Sequence, residues 1–336
     1  MKKKNIFITG VAGFLGSHLA DKLVEQGHNV TGIDNMLGGY RDNVPKSIKF
    51  FEVDCCDNLK IRQLMKNIDV VFHCAATAHE GLSVFSPYEI TKNNYLASIS
   101  VFSAAVNAKV KRIIFCSSMA RYGDLKSPFT EDMLPKPVDP YAISKVAAEE
   151  VLKNLCELNN IEWVIAVPHN IIGPRQKYDD PFRNVVSIMI NRMLQGNAPI
   201  IYGDGEQKRC FSYIDDCLSC LIPMLDQKNL NKQIINIGPD EELVTINKIA
   251  EICSNFTGYN GKPIYKKDRP REVKYASCSA NKARKLLNYK TNTSLLDGIK
   301  KTYEYIKSRG VRPFDYNIDL EIVNDLTPET WKNKEI

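Results

Sequence analysis

"TGVAGFLGS", Thr9 to Ser17, decides how the rest of the chain is read, because its three glycines admit two opposed interpretations. Lys2, Lys3 and Lys4, followed by the mostly apolar Ile6 to Leu15, resemble the start of an export signal. Asn5, Thr9 and the glycines interrupt that pattern. No small-x-small cleavage site follows, and SHLADKLVE (Ser17 to Glu25) reads as an amphipathic helix. The segment is therefore predicted to belong to the fold. A phosphate-holding loop needs a short buried strand before it, a helix after it, and an acid at the end of the next strand. Asn5 to Thr9 is strand-like, Phe14 to Gln26 has helical spacing, and NVTGI (Asn29 to Ile33) leads into Asp34.

Gly10, Gly13 and Gly16 form GxxGxxG. They supply the tight turn, the close approach of backbone to a pyrophosphate, and the close packing of helix on sheet, with the pyrophosphate set against the helix N-terminus. The predicted contacts of this loop are Gly10, Gly13, Phe14, Leu15 and Gly16. Asp34 lies eighteen residues past Gly16, where a carboxylate accepts from both ribose hydroxyls and repels a 2′-phosphate. The expected cofactor is NAD in preference to NADP.

The chain has 336 residues, 44% hydrophobic and 25% charged, an ordinary globular composition. No run approaches eighteen apolar residues, so no membrane span is predicted. The net charge of +6 is spread along the chain without a basic stripe, and no nucleic-acid partner is predicted. Of the ten cysteines, Cys74 and Cys116 sit in apolar strand-like runs, Cys55 and Cys56 are adjacent, and Cys217 and Cys220 form a CxxC with no second pair at ligand spacing. They are predicted to be buried free thiols of a cytoplasmic protein, with no metal site.

Strand-like and helix-like segments alternate from the start. Strands are predicted at 5–9, 29–33, 48–53, 69–74, 111–116 and 162–167, with helices near 14–26, 58–67, 87–108 and 141–158. Such alternation predicts an α/β fold, a Rossmann-type doubly wound parallel sheet covered on both faces. After about residue 170 the rhythm changes, and helices near 181–196, 214–226, 245–257, 280–287 and 295–308 are separated by short strands. The expected division is a cofactor-binding domain over 1–170, which also carries the catalytic residues, a smaller substrate-binding lobe over 171–310, and a polar tail over 311–336 that wraps the surface or is partly disordered.

In VDPYAISK, Asp139 is placed to cap a helix whose first residue is Pro140, and Tyr141 and Lys145 then fall at i and i+4 on one face. A lysine ammonium beside a phenol stabilises the phenolate, and an oxidised nicotinamide adds a second positive charge. Such a tyrosine serves as general base toward a hydroxyl and as general acid on the return. Ser117 and Ser118 end the strand-like run Arg112 to Cys116, at the sheet edge where α/β folds hold ligands. Ser118 is placed to hydrogen-bond the oxygen that Tyr141 deprotonates.

With these motifs in order, the chain resembles the extended short-chain dehydrogenases/reductases and, within them, the nucleotide-sugar 4-epimerases. The resemblance runs from about residue 4 to residue 308. It rests on TGVAGFLG, Asp34-Asn35, Val53-Asp54, HCAA at His73 to Ala76, Asn94, SSMARYG, PYAISK, PHNIIGPRQ, YGDGEQKRCFSYIDD and RPREV. By resemblance, Ser118, Tyr141 and Lys145 are the catalytic residues. Asn35, Asp54 and Cys55 lie beside the adenosine half of NAD, Ala75 and Ala76 on the pyrophosphate side, Pro168 near the nicotinamide, and Asn94 orders the active-site helix. Asn170, Arg209 and Arg269 are the implied contacts of the nucleotide-sugar diphosphate, a role suited to guanidinium forks. A homodimer is implied, with the helices near 87–108 and 141–158 of two chains packing as four through Tyr95, Ile99, Phe102 and Val106.

The implied reaction is transient oxidation at the sugar C4 followed by reduction on the other face, with a UDP-hexose or UDP-N-acetylhexosamine as substrate. A residue that is bulky in strict UDP-glucose epimerases falls on Ala276 or Ser277 here, leaving room for an N-acetyl group. Arg121 is placed either toward a charged sugar substituent or toward solvent. A 4,6-dehydratase calls for an Asp-Glu pair after the catalytic hydroxyl residue, where Met119 and Ala120 stand, although Glu80 is a further acid within reach of the pocket. A C4 dehydrogenase and a non-catalytic NAD-sensing regulator are the other readings.

Overall fold

The computed structural model describes residues 2–336. Seven strands form one parallel sheet: β1 (Asn5–Thr9), β2 (Asn29–Asp34), β3 (Lys49–Glu52), β4 (Val70–His73), β5 (Arg112–Cys116), β6 (Glu162–Pro168) and β7 (Gln233–Ile237). Their spatial order is β7-β6-β5-β4-β1-β2-β3, so the direction of winding reverses between β1 and β4. Every residue of β4 and β5 is buried, as expected of central parallel strands covered on both faces. Along β1 the faces alternate: Ile6 and Ile8 enter one apolar core and Phe7 the other. Each such fully buried side chain is worth roughly 1.5–3 kcal/mol.

One face is covered by α1 (Phe14–Glu25), the other by α2 (Asn58–Leu64), α3 (Ala97–Asn107) and α4 (Pro140–Leu158). The cap predicted for α4 forms, with the Asp139 carboxylate accepting from the Ala142 N–H at 2.8 Å and Pro140 in the first turn. The predicted helix over 87–108 is interrupted. Pro87–Thr91 is followed by one wide turn at Lys92–Leu96 before α3 begins. The sequence from Arg183 onward forms a third apolar core from α5 (Val185–Leu194), α7 (Ile246–Thr257) and α9 (Leu295–Arg309). Between α5 and α7, however, the chain returns to the large sheet. α6 (Ile214–Leu221) packs with α1, and β7 extends the sheet beside β6. α8 (Asn281–Leu287) joins the same layer through Ala283 and Leu287.

Residues after Arg309 cross both parts of the molecule and end in a short helix, Glu329–Lys332, with Trp331 buried. All ten cysteines are free thiols, eight of them buried. Among the described residues no helix is long and apolar enough to cross a membrane. No group of His, Cys, Asp or Glu is arranged to hold a metal ion among them.

Candidate active site

Parallel strands place all their C-terminal ends on one edge, and the reversal of winding between β1 and β4 opens a crevice there. A cleft of about 490 Å³ occupies that edge and continues into the lobe. Gly10, Gly13, Phe14, Leu15, Gly16, Asp34, Asn35, Asp54, Cys55, Ala75, Ala76 and Pro168 all line it.

The glycine loop is dictated by space as much as by conformation. Gly10 has φ +72°, and a Cβ there would stand 2.8 Å from the backbone of Ala75. At Gly16 a Cβ would stand 2.2 Å from the Gly10 carbonyl oxygen, which is why α1 lies so close to the loop. Gly13 is the N-cap of α1 and no side chain caps the helix, so its first amides face the cleft, as an anion requires. Asp34 fastens this loop. Its oxygens accept from the N–H of Ala12 at 2.9 Å and of Met36 at 2.8 Å, and burial raises its carboxyl above the usual range. A chain of single hydrogen bonds runs behind it: Ala75 N–H to Thr9 Oγ1, Thr9 to His73 Nδ1 at 2.7 Å, and His73 Nε2 to Ser98 Oγ at 2.9 Å. Burial pushes His73 down to about 3, so the ring is neutral. Because Ser98 donates onward to the Asn94 carbonyl, the ring proton lies on Nε2.

Asn94 does not line the cleft. Its side-chain amide donates to the carbonyls of Thr77 and Ile90 at 3.0 and 2.8 Å, so it ties the loop after β4 to the helix and positions other residues. The wide turn at Lys92–Leu96 is what turns it inward.

Ser118, Tyr141 and Lys145 meet at the middle of the cleft. The Lys145 ammonium donates to the Cys116 carbonyl at 2.9 Å, 4.9 Å from the centre of the Phe115 ring and 5.9 Å from that of Tyr141. Burial pushes Lys145 down to about 8. The Tyr141 phenol moves opposite to the sequence expectation: burial, then the nearby Glu80, raise it, while the facing Ser118 hydroxyl favours ionisation. Desolvation outweighs the help of neighbours in this pocket. The geometry suits proton transfer once further positive charge stands beside the phenol.

Arg121 faces neither a sugar nor solvent. It is 2% exposed and forms a bidentate pair with the fully buried Glu149, at 3.1 and 2.9 Å. The Ser117 hydroxyl donates to the same carboxylate. The pair braces the loop after β5 against α4, the two elements that carry Ser118 and Tyr141.

Beyond Tyr141 the cleft becomes cationic. Arg269 makes two 3.0 Å hydrogen bonds to Glu272, which also stands 3.9 Å from Arg209. Arg209 further donates to the carbonyls of Lys208, Val273 and Lys274. Asn170, held at φ +41°, donates to the Cys210 carbonyl at 2.9 Å and faces the same space. Of the two small residues noted in the sequence, Ala276 lines the cleft. Ser277 turns away to accept from Cys210 and from the Phe129 amide.

Three further lining residues matter for the chemistry, of which the sequence offered only Glu80, as an acid within reach of the pocket. Glu80 is accessible from the cleft; desolvation by the surrounding protein and the nearby Asp139 push it up to about 7, against the pull of Arg209 and Arg269. Arg183 bridges Asp180 and the Gly38 carbonyl across the two halves. Trp331 arrives from the tail. Arg183 and Trp331 belong to no local motif, so only the folded chain brings them in.

The description "NAD dependent epimerase/dehydratase family" matches residues 6–238. The chain belongs to this family. It is 32% identical over 320 residues to the UDP-N-acetyl-alpha-D-glucosaminuronate decarboxylase of Bacillus cytotoxicus, covering 91% of this chain and 98% of that one. Among solved structures, the UDP-glucose 4-epimerase of Thermotoga maritima with UDP-glucose superposes with a TM-score of 0.86 at 31% identity, over 91% of this chain and 99% of that one. The UDP-glucuronic acid 4-epimerase of Bacillus cereus, in complex with UDP-glucuronic acid and NAD, gives 0.84 at 30%, over 91% and 100%.

Proposed function

We propose that the protein is an NAD-dependent nucleotide-sugar 4-epimerase, acting on a UDP-hexose or a UDP-N-acetylhexosamine. The observation that carries the reading is the meeting of Ser118, Tyr141 and Lys145 between a glycine-loop half and an arginine-bearing half of one cleft. The residues present fit NAD: a loop that only glycine can occupy at Gly10, uncapped helix amides at Gly13, and a carboxylate at Asp34. When bound there, NAD supplies the hydride acceptor and donor.

The chain's own residues do the rest. Tyr141 removes the proton of the C4 hydroxyl and returns it, Ser118 orients that oxygen, and Lys145 holds positive charge beside the phenol. Arg209 and Arg269 hold the diphosphate while the oxidised sugar presents its other face. Ala276, in place of a bulkier side chain, leaves room for an N-acetyl group.

Incubation with UDP-glucose and with UDP-N-acetylglucosamine, read by mass spectrometry and proton NMR, tests the reading. The expected product has the substrate's mass, inverted at C4 alone. A product lighter by one water would make the protein a dehydratase, because Glu80 would then be the missing acid. A stable product lighter by two hydrogens would make it a dehydrogenase.

Glu80 gives the site a pH dependence. Its carboxyl is pushed up to about 7 by desolvation and Asp139, so it gains negative charge beside Arg209 and Arg269 as the pH rises through neutrality. Affinity for the anionic diphosphate is therefore highest below pH 7 and falls as the pH rises through it, by about fivefold between pH 6 and 8 for one screened charge. Calorimetry with UDP-glucose measures this. Glu80→Gln flattens the dependence at the high-affinity end.

The proposed assembly is a homodimer built on α3, α4 and the turns before α3. Phe102 takes no part, being fully buried in its own chain, while Tyr95, Ile99 and Val106 are half covered. The exposed large apolar side chains on these elements are Tyr88, Leu96, Ile143 and, at the far end of α4, Leu158. Light scattering at micromolar concentration should give twice the chain mass, and Leu96→Glu with Ile143→Glu should halve it. Ten free thiols fit a reducing compartment, the cytoplasm.

A further inference from the structure

The tail after Arg309 is tied to both walls of the cleft. On the lobe side the Arg312 carbonyl accepts from Asn191 and Gln195 at 2.9 and 3.1 Å. The tail then crosses to the cofactor side. Asn317 donates to the Leu37 carbonyl at 2.9 Å, the Asp319 carbonyl accepts from Ser86, and the amides of Glu321 and Ile322 both donate to the Phe85 carbonyl. The Glu321 carboxylate receives the amides of Tyr88 and Glu89, each at 2.8 Å, and so caps the helix Pro87–Thr91. The chain finally returns to the lobe, where Thr330 meets the Tyr202 hydroxyl at 2.6 Å and the Glu335 carbonyl accepts from Arg192.

This path delivers Trp331 to the cleft. Its ring packs edge-on against Phe182, Phe85 and Tyr202, with centroids 5.3, 6.0 and 6.4 Å away. A Cβ placed on Gly81 would lie 3.2 Å from the indole and 3.5 Å from the Arg269 guanidinium. Arg269 in turn stands over the Tyr202 ring at 4.8 Å. Trp331 thus packs against the Gly81 backbone beside Arg269, and the Tyr202 ring neighbours both the indole and the guanidinium. About a tenth of this chain lies outside the match with each relative, whereas 98% or more of each relative is matched.

We propose that residues 312–336 are a substrate-binding element in which Trp331 walls the nucleotide-sugar half of the cleft and holds Arg269 and Tyr202 in place, so that substrate enters and leaves as this strap lifts. The proposal rests on the nucleotide-sugar reading above. The strap is bound by hydrogen bonds, by ion pairs of Arg312 with Asp179, Asp315 with Lys177 and Glu335 with Lys266, and by one aromatic cluster, with Ile318 its one large buried aliphatic side chain; so small an apolar contact opens locally without unfolding the cores. Its contribution is to binding, because Ser118, Tyr141 and Lys145 lie on α4 and the loop after β5, whereas the hydrogen bonds of the strap go to the lobe and to Leu37 and Phe85–Glu89.

The chain has two tryptophans, and the other, Trp163, sits in β6 at the end away from the cleft. A Trp163→Phe variant therefore makes Trp331 the sole indole reporter. Titration with UDP should change its emission, and limited proteolysis within 312–336 should slow when UDP is present. Trp331→Ala, and separately a chain ending at Arg312, should raise the Michaelis constant for UDP-glucose at least about tenfold while turnover stays within about threefold and NAD content is unchanged. Trp331→Phe should recover most of the loss. The point variant keeps the test open if the shortened chain fails to fold. An unchanged Michaelis constant in Trp331→Ala, with no UDP-dependent change in Trp331 emission, overturns the proposal alone. Failure of the unaltered chain to bind UDP or UDP-glucose overturns the nucleotide-sugar reading, and this proposal with it.

Discussion

Tyr141→Phe is expected to lower turnover at least about a hundredfold, the usual scale for a lost general acid/base, while nucleotide-sugar binding is nearly unchanged. The ring is 4% exposed and its packing survives the substitution, so the fold has no reason to respond. What disappears is the hydroxyl facing Ser118. No neighbour replaces it: Lys145 is committed to the Cys116 carbonyl, and Arg121 is committed to Glu149. The test compares kcat and the dissociation constant for UDP-glucose in the two proteins, with thermal unfolding as the control. Near-normal turnover would dismiss the assignment of Tyr141, and with it the proton path through Ser118.

The sheet and the loop were legible because each depends on local pattern. β1, α1, β2 and Asp34 follow one another within thirty residues, and the backbone positions that demand glycine are visible as glycines. The Tyr141–Lys145 spacing is legible for the same reason, since a helix fixes which side chains share a face. Arg121 was misread because sequence supplies a charge and no partner. Glu149 lies 28 residues on, and only the packing of α4 against the loop after β5 brings the two together. The phenol of Tyr141 was expected to be lowered by Lys145, yet depth of burial, a property of the whole cleft, acts more strongly. β7 was missed because its pattern, QIINI, stands among the short strands of the lobe and carries nothing that says which sheet it joins. The tail does run over the surface, but its anchoring was not legible, because its partners are distant in sequence: the Arg312 carbonyl accepts from Asn191, 121 residues back, and Asn317 donates to the Leu37 carbonyl, 280 residues back.

Gly10→Ala should abolish cofactor retention, and a second glycine separates the two reasons for it. The unaltered protein is expected to release NAD, and not NADP, when it is denatured after purification, because a cofactor regenerated in each cycle gains nothing from exchange. Gly10 and Gly196 both hold the left-handed conformation, at φ +72° and +81°. An added methyl at Gly196 meets nothing within 4 Å, so Gly196→Ala should cost only the backbone strain, about 1–2 kcal/mol of stability, with full NAD content. At Gly10 the same methyl stands 2.8 Å from Ala75 Cα and amide nitrogen, backbone atoms that cannot swing aside. Relief requires the loop to move away from β4, which breaks the Ala75–Thr9 hydrogen bond and withdraws the α1 amides from the cleft. NAD affinity should fall at least about a hundredfold, beyond what the αL strain alone explains. The measurement is NAD per chain in the two purified variants, with melting temperatures alongside. Equal NAD content in Gly10→Ala and Gly196→Ala would mean that strain alone governs the loop, and that the contact with Ala75 is not what keeps position 10 a glycine.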